Sequence, residues 1–252
     1  MSWKNLVAIV FTAVFLVGCA TSGPARPSKK QRDEQAAIYN YELGRQYMVQ
    51  GRRDLAMEKL KRALIQDRKL SPAHVTIALL YEQIGEIDLA RKHWRRAIRS
   101  SPRDPETQNN YGTFLCRSKE YRESEEYFMK AAKNTAYRTP HVAYTNAGIC
   151  VKRIPDLESA ENYFRLALNF DPKFTDALAQ MALFSFEQEN YLGVRAFIER
   201  FDENLPLNAA LLWLGVQAEM KLGNKMEART YGDRIRREFP DAPEMQLLEE
   251  MK

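Results

Sequence analysis

Histidine is scarce in this sequence, with three among 252 residues, and His74, His93 and His141 stand far apart without the spacing of metal ligands. No Gly-rich phosphate loop and no nucleophile elbow occurs. Without a catalytic cluster, an enzyme is not expected, and no cofactor or metal is implied. Blocks of like charge are missing too. The net charge is +5, and Lys and Arg mostly alternate with Glu and Asp. The basic stripe of a nucleic-acid binder is therefore absent, and no nucleic-acid partner is expected. Wholesale disorder is excluded by an apolar content of 45% set against a modest net charge. The apolar run Leu6–Val17 falls short of the about 20 residues that a membrane-spanning helix needs.

That run has another reading. Lys4 precedes it as a positive n-region, and its length fits the h-region of a secretory signal. At its end, Leu16-Val17-Gly18-Cys19 resembles the lipobox of bacterial lipoproteins. The resemblance implies that the thiol of Cys19 carries a diacylglycerol, with small Gly18 permitting cleavage before it. The alternative is a plain signal peptide with an incidental cysteine. Two or more acyl chains hold a protein firmly on a bilayer, where one does not. Ala20, where an Asp would imply retention on the inner membrane, points to the periplasmic face of the outer membrane. We therefore expect a signal peptide over 1–18 and, over 19–36, a lipidated Cys19 with a flexible tether rich in Ser, Gly, Pro and charge. Its reach is on the order of 25 Å. Arg26, Lys29, Lys30 and Arg32 could touch anionic headgroups, or simply be solvated.

From 37 onward the sequence repeats itself at 34 residues. Aligned on three small positions, the repeats carry Gly44, Ala56, Ala63; Ala78, Ala90, Ala97; Gly112, Ser124, Ala131; and Gly148, Ala160, Ala167. An insertion at Thr139-Pro140 stretches one interval to 36. The fifth repeat (Ala182, Val194, Phe201) and sixth (Val216, Ala228, Ile235) are degenerate, and Phe201 should widen the helix spacing. Short side chains let antiparallel helices approach closely while ridges of the partner fill the gap. Leu60, Trp94, Phe128, Phe164 and Ile198 supply those ridges one turn after the first small residue of the second helix. Gly51, Gly85 and Gly223 fall where a helix end favours a left-handed residue. Pro102, Pro172, Pro206 and Pro240 recur where the second helix must stop. Ser71-Pro72, Asp104-Pro105 and Thr139-Pro140 read as caps before first-turn prolines.

These features resemble the tetratricopeptide repeat (TPR). The expected fold is all-α: a right-handed superhelix of six helix-turn-helix repeats at 37–70, 71–104, 105–138, 141–174, 175–208 and 209–242. A short capping helix over 243–252, with Met245, Leu248 and Met251 on one side, would cover the last repeat. In TPR proteins the first helices line a concave face free to specify a ligand. Carried over position by position, that groove would present Tyr41, Arg45 and Met48, then Val75 and Leu79, then Asn109, Thr113 and Arg117, then Thr145, Ile149, Lys152 and Arg153. Apolar stripes with basic flanks suit a peptide bearing some acidic residues; the alternative is that several of these side chains are inter-repeat core. Tyr41 and Arg45 stand where chaperone-binding TPR domains carry the Lys and Asn of a carboxylate clamp, so that mechanism is not expected. Cys116 and Cys150 lie on the first helices of neighbouring repeats. They read either as a disulfide, allowed in an oxidising periplasm, or as two buried thiols.

Two local runs narrow the resemblance. Asn109-Asn110-Tyr111-Gly112-Thr113-Phe114-Leu115-Cys116 and Asn146-Ala147-Gly148-Ile149-Cys150 resemble segments of the type IV pilus biogenesis lipoproteins, the PilF/PilW pilotin family. The resemblance implies a lipoprotein, monomeric on its own, that binds pilus secretin subunits in its groove and promotes their outer-membrane localisation and multimerisation. One rival is a TPR lipoprotein scaffold for peptidoglycan enzymes or outer-membrane protein assembly; another is a cell-wall enzyme with an unrecognised site. The anchor is tested directly: Cys19→Ser should abolish palmitate incorporation and release the protein from the outer-membrane fraction. Unchanged co-sedimentation with that membrane would contradict the lipoprotein reading.

Overall fold

The computed structural model describes residues 27–154 and 156–251. The expected signal peptide and Cys19 lie outside the described residues. Thirteen α-helices and no strand occur among those described, and none of the helices is long and apolar enough to cross a membrane. The chain divides into two compact units, one ending at Arg68 and one beginning at Lys69.

The first unit is a helical hairpin, α1 (Lys29–Val49) and α2 (Arg53–Gln66). Its turn passes through Gly51 at φ 73°, a left-handed conformation that glycine adopts without penalty. Gly44 is buried against α2, where an added Cβ would stand 2.6 Å from Leu60 Cγ. Asn40, also buried, donates to Ala36 O and Gln66 Oε1, both at 2.9 Å. The helix begins earlier than the sequence suggests, because residues 29–36, expected in the tether, form its first two turns. The cause is a capping box: Gln31 N donates to Ser28 Oγ while Ser28 N donates to Gln31 Oε1. Strong helix formers follow (Lys, Gln, Arg, Glu, Ala), so these turns need no apolar face once the packed helix behind them is in place.

The second unit stacks five hairpins in chain order: α3 (Ser71–Gln83) with α4 (Ile87–Ser100), α5 (Pro105–Arg117) with α6 (Tyr121–Ala132), α7 (Pro140–Val151) with α8 (Leu157–Phe170), α9 (Thr175–Glu187) with α10 (Tyr191–Asp202), and α11 (Ala209–Lys221) with α12 (Lys225–Glu238). A final helix, α13 (Pro243–Glu250), packs on α11 and α12. Asp104 caps α5 by accepting from Thr107 N at 2.8 Å. Ser71 is no cap. It sits inside the first turn of α3, buried, and its hydroxyl donates to Ala97 O at 3.1 Å. Thr139 holds the cap position of α7 without a side-chain hydrogen bond.

The hairpins are held by one recurring fit. A Cβ added to Gly112 would meet the Phe128 ring at 2.9 Å, and one added to Gly148 would meet Phe164 at 2.5 Å. Phe128 and Phe164 are themselves fully buried, each contributing about 2–3 kcal/mol of transfer free energy. Ala78 opposite Trp94 and Ala182 opposite Ile198 repeat the arrangement with one more carbon. The sixth repeat departs from the alignment. Its close approach is Gly215 on Tyr231 at 2.9 Å, one residue earlier than the periodicity places it. Gly232, thereby freed, meets Leu248 of α13 at 3.2 Å. Leu248 is 7% exposed and Met245 packs beside it, whereas Met251, at the helix end, stays 47% exposed and does not join the contact. Phe201 is accommodated within the core together with Leu207.

Because Phe164 has no space to retreat into, Gly148→Leu should destabilise the second unit by at least about 2 kcal/mol through overpacking. Urea unfolding followed by circular dichroism measures it. A variant as stable as the parent would show that the close approach is not required.

Candidate functional site

In the second unit the first helices of successive hairpins, α5, α7, α9 and α11, touch one another, while the second helices are spread further apart. The first helices therefore form an inner wall. Each buries one face against its own hairpin partner and leaves a stripe open. On α5 the stripe is Glu106, Asn110, Thr113, Cys116 and Arg117; on α7 it is Val142, Asn146, Ile149, Lys152 and Arg153.

Between α5 and α7 lies a cleft of about 350 Å³. Thr113, Arg117, Ile149 and Arg153, all expected at a groove, line it together with Cys116, Lys119, Tyr121, Phe128 and Asn146. A disulfide between Cys116 and Cys150, with Cα atoms 5.8 Å apart, ties the two helices together at the cleft. Beneath it, Ser124 Oγ lies 3.3 Å from Cys150 Sγ and donates to Gly112 O at 2.8 Å. No carboxylate belongs to the lining, while Arg117, Lys119 and Arg153 stand exposed around it. Arg117 is oriented: its guanidinium donates to Glu82 Oε2 at 2.6 Å, and Glu82 Oε1 accepts from the buried Trp94 indole at 2.8 Å. Lys119 adopts φ 66° at the turn position that Gly51 and Gly85 occupy elsewhere. For a residue with a Cβ this conformation costs about 1–2 kcal/mol. The arrangement presents fixed positive charge above an apolar and aromatic floor, which suits a carboxylate attached to an apolar chain.

Other expected groove residues are placed differently. Asn109 and Thr145 are 7% and 3% exposed. Asn109 Oδ1 accepts from Asn146 Nδ2 at 3.1 Å, bonding α5 to α7, and Thr145 donates to His141 O within its own helix. Both are packing residues, because their positions turn toward the neighbouring helix rather than the open stripe. Val75 and Leu79 pack against the cluster around Trp94 and Tyr111. Lys152 is held by Glu187 at 2.7 Å, bridging α7 to α9. Tyr41, Arg45 and Met48 belong to the first unit; there Arg45 is exposed and pairs with Glu42 at 3.1 Å. The expected groove stops at the fourth repeat, yet the open stripe continues. On α9 it carries Ala179, Leu183, Phe186 and Glu187, and on α11 Trp213, Gln217, Met220 and Lys221. The 34-residue offset from Ile149 to Leu183 points to these side chains, but degeneracy at Val194 and Phe201 masks the register.

Two further features lie off this wall. His74 and His93, far apart in sequence, meet across the α3–α4 hairpin with their Nδ1 atoms 3.1 Å apart. They remain a pair: no group of three or more His, Cys, Asp or Glu among the described residues is placed to hold a metal. A depression of about 610 Å³ beside α10, α11 and α12 is lined by charges, four of which pair with one another. Arg195 grips the buried Glu219 through two hydrogen bonds of 2.6 Å, Asn224 donates to the same carboxylate at 2.9 Å, and Arg234 holds Asp202 at 2.6 Å.

Two tetratricopeptide-repeat family models match this chain, one over residues 75–139 and the other over 209–242. The type IV pilus assembly protein PilF of Pseudomonas aeruginosa is 29% identical over 97% of this chain and 98% of its own. Its solved structure superposes with a TM-score of 0.76 at 25% identity, covering 88% of this chain and 100% of that one. The crystal structure of PilW, a widely conserved type IV pilus biogenesis factor, gives a TM-score of 0.76 at 29% identity, covering 85% and 98%. YrrB, a TPR protein at 14% identity and a TM-score of 0.56, shares the fold alone.

The Arg195–Glu219 pair yields a pH test. Hydrogen bonding to Arg195 holds the Glu219 carboxyl below its ordinary range. A carboxyl with a lowered folded-state pKa contributes stability that is complete above its unfolded value and is lost as pH falls through the folded one. Arg195→Gln should cost about 2 kcal/mol at neutral pH by leaving a buried carboxylate without its partner. The cost should shrink as the pH falls toward about 3, because Glu219 takes up its proton in the variant before it does so in the parent. Equal losses at both pH values in denaturant titrations would contradict this.

Proposed function

We propose that this chain, a tetratricopeptide-repeat protein related over nearly its whole length to the type IV pilus biogenesis proteins PilF and PilW, is an outer-membrane pilotin. It binds pilus secretin subunits along the inner wall and promotes their localisation and multimerisation. The observation that carries the reading is the open wall. Its helices are already packed through their other faces, so Thr113, Arg117 and Arg153 on the stripe stay accessible, and Ile149 packs only partly against the core. A groove of this kind binds; its side chains offer charge and apolar surface and no nucleophile paired with a base.

The division of labour follows from the chain's layout. Acylated Cys19 supplies the address by inserting hydrocarbon into the bilayer, each buried methylene contributing about 0.8 kcal/mol. A subunit captured on the wall is then confined to the membrane surface, where the effective concentration of its neighbours rises and ring formation is favoured without new contacts.

Deleting the gene should abolish heat-resistant secretin multimers in the outer membrane, together with surface pili. Restoring the Arg117→Glu, Arg153→Glu double variant should give fewer multimers than restoring the parent. Normal multimers in the deletion strain would refute the reading, and capture of peptidoglycan hydrolases or barrel-assembly subunits without secretin would favour a scaffold instead.

A further inference from the structure

The inner wall does not end where the repeat consensus weakens. Leu183 on α9 is 40% exposed and Met220 on α11 is 43% exposed, with Phe186 and Trp213 half-buried beside them. Three of them keep the register of the fourth repeat, whereas Trp213 stands at the position of Thr145 and packs against the core. Leu183 stands one repeat beyond Ile149; Phe186 and Met220 stand one and two repeats beyond Lys152. They share one face because α7, α9 and α11 are successive neighbours and because Lys152 and Glu187 bridge α7 to α9. A contiguous apolar strip exposed on a packed scaffold marks a surface kept for a partner.

Charge decides what kind of partner. Among the acidic residues near this strip, Glu187 is engaged by Lys152, and Glu189, just past the end of α9, is exposed. Lys119, Arg153 and Lys221 remain in excess, and all three lie at or just beyond the C-terminal ends of α5, α7 and α11. The exposed acids Glu106 and Asp176 lie in the first turns of α5 and α9, at the opposite edge. The wall therefore has a mostly cationic edge, with three cations against Glu189, an apolar centre and an acidic edge.

We propose that this surface takes an amphipathic helix lying across α7, α9 and α11. Its apolar stripe (i, i+3/i+4, i+7) rests on Ile149, Leu183, Phe186 and Met220, and its acidic flank faces Arg153 and Lys221. With helices spaced about 10 Å apart, the axes of α7 and α11 lie about 20 Å apart, and a guest helix of about 20 residues, about 30 Å long, crosses all three with about a turn to spare at each end. The inference rests on the reading of the inner wall as the partner-binding surface; it adds the chemistry of the guest and moves the centre of contact to the fifth and sixth repeats.

The test uses the full folded chain and labelled synthetic helices of about 20 residues. One carries a Leu stripe flanked by Glu on one side. A second has every Glu replaced by Lys, and a third has the Leu stripe scrambled. Fluorescence anisotropy should show the acidic amphipathic helix binding at least about tenfold more tightly than either control. Leu183→Asp and Met220→Asp should each weaken it about tenfold, while Leu192→Asp, at an equally apolar exposed position on α10, should not. Should an Asp variant lose its fold by circular dichroism, Leu183→Ser and Met220→Ser provide the same comparison. No binding, equal binding of the Lys peptide, or indifference to the α9 and α11 substitutions would overturn the proposal. Such a result would leave the pilotin reading standing, since that falls only if secretin multimers form without the protein.

Discussion

Everything in this molecule depends on glycine or alanine in one helix meeting a large side chain sixteen residues later in the next. Gly44 on Leu60, Gly112 on Phe128, Gly148 on Phe164 and Gly215 on Tyr231 are the same contact made four times, each too close for a Cβ to enter without displacing its neighbour. The contact does two things. It buries a bulky side chain inside each hairpin, providing hydrophobic stabilisation that no single short helix could supply alone. It also fixes which face of the first helix turns inward to its partner, and so which face is left open. The open inner wall is a by-product of how the hairpin closes.

Stacking then depends on neighbours alone, as in other repeat arrays. Between successive hairpins the chain adds specific ties at the wall: the Cys116–Cys150 disulfide, the Asn109–Asn146 hydrogen bond, and the ion pairs Glu82–Arg117 and Lys152–Glu187. These ties restrict motion between α3, α5, α7 and α9, so a guest meets side chains already in position. Preorganisation of this kind lowers the entropy lost on association, which is where affinity is usually forfeited. At the far end, Leu248 closes the array by reaching Gly232, and the last hairpin is capped rather than left exposed.

The repeat was legible because its physics is local. A small residue every 34 positions, a left-handed glycine at Gly51, Gly85 and Gly223, and proline after the second helix each have one dominant cause. What escaped the sequence depended on tertiary context. The extra turns at 29–36 come from a Ser28–Gln31 box that an unpatterned, charged stretch conceals. Asn109 and Thr145 sit at groove positions by count but face the adjacent helix, a distinction of a fraction of a turn that periodicity does not resolve. The one-residue shift at Gly215 and Tyr231 needs α13 in place to make sense, and the approach of His74 to His93 depends on the hairpin having closed. The α9 and α11 part of the wall was hidden for the opposite reason: its core positions deviate from the repeat while its open stripe keeps the register.

The account turns on a wall vacated by packing and used by a partner. Hydrogen–deuterium exchange of the full chain, with and without the pilus secretin proposed as its partner, tests it most directly. Added protection should concentrate on α5, α7, α9 and α11, leaving α6, α8, α10 and α12 unchanged. Protection confined to the second helices, or none anywhere in the array, would contradict it.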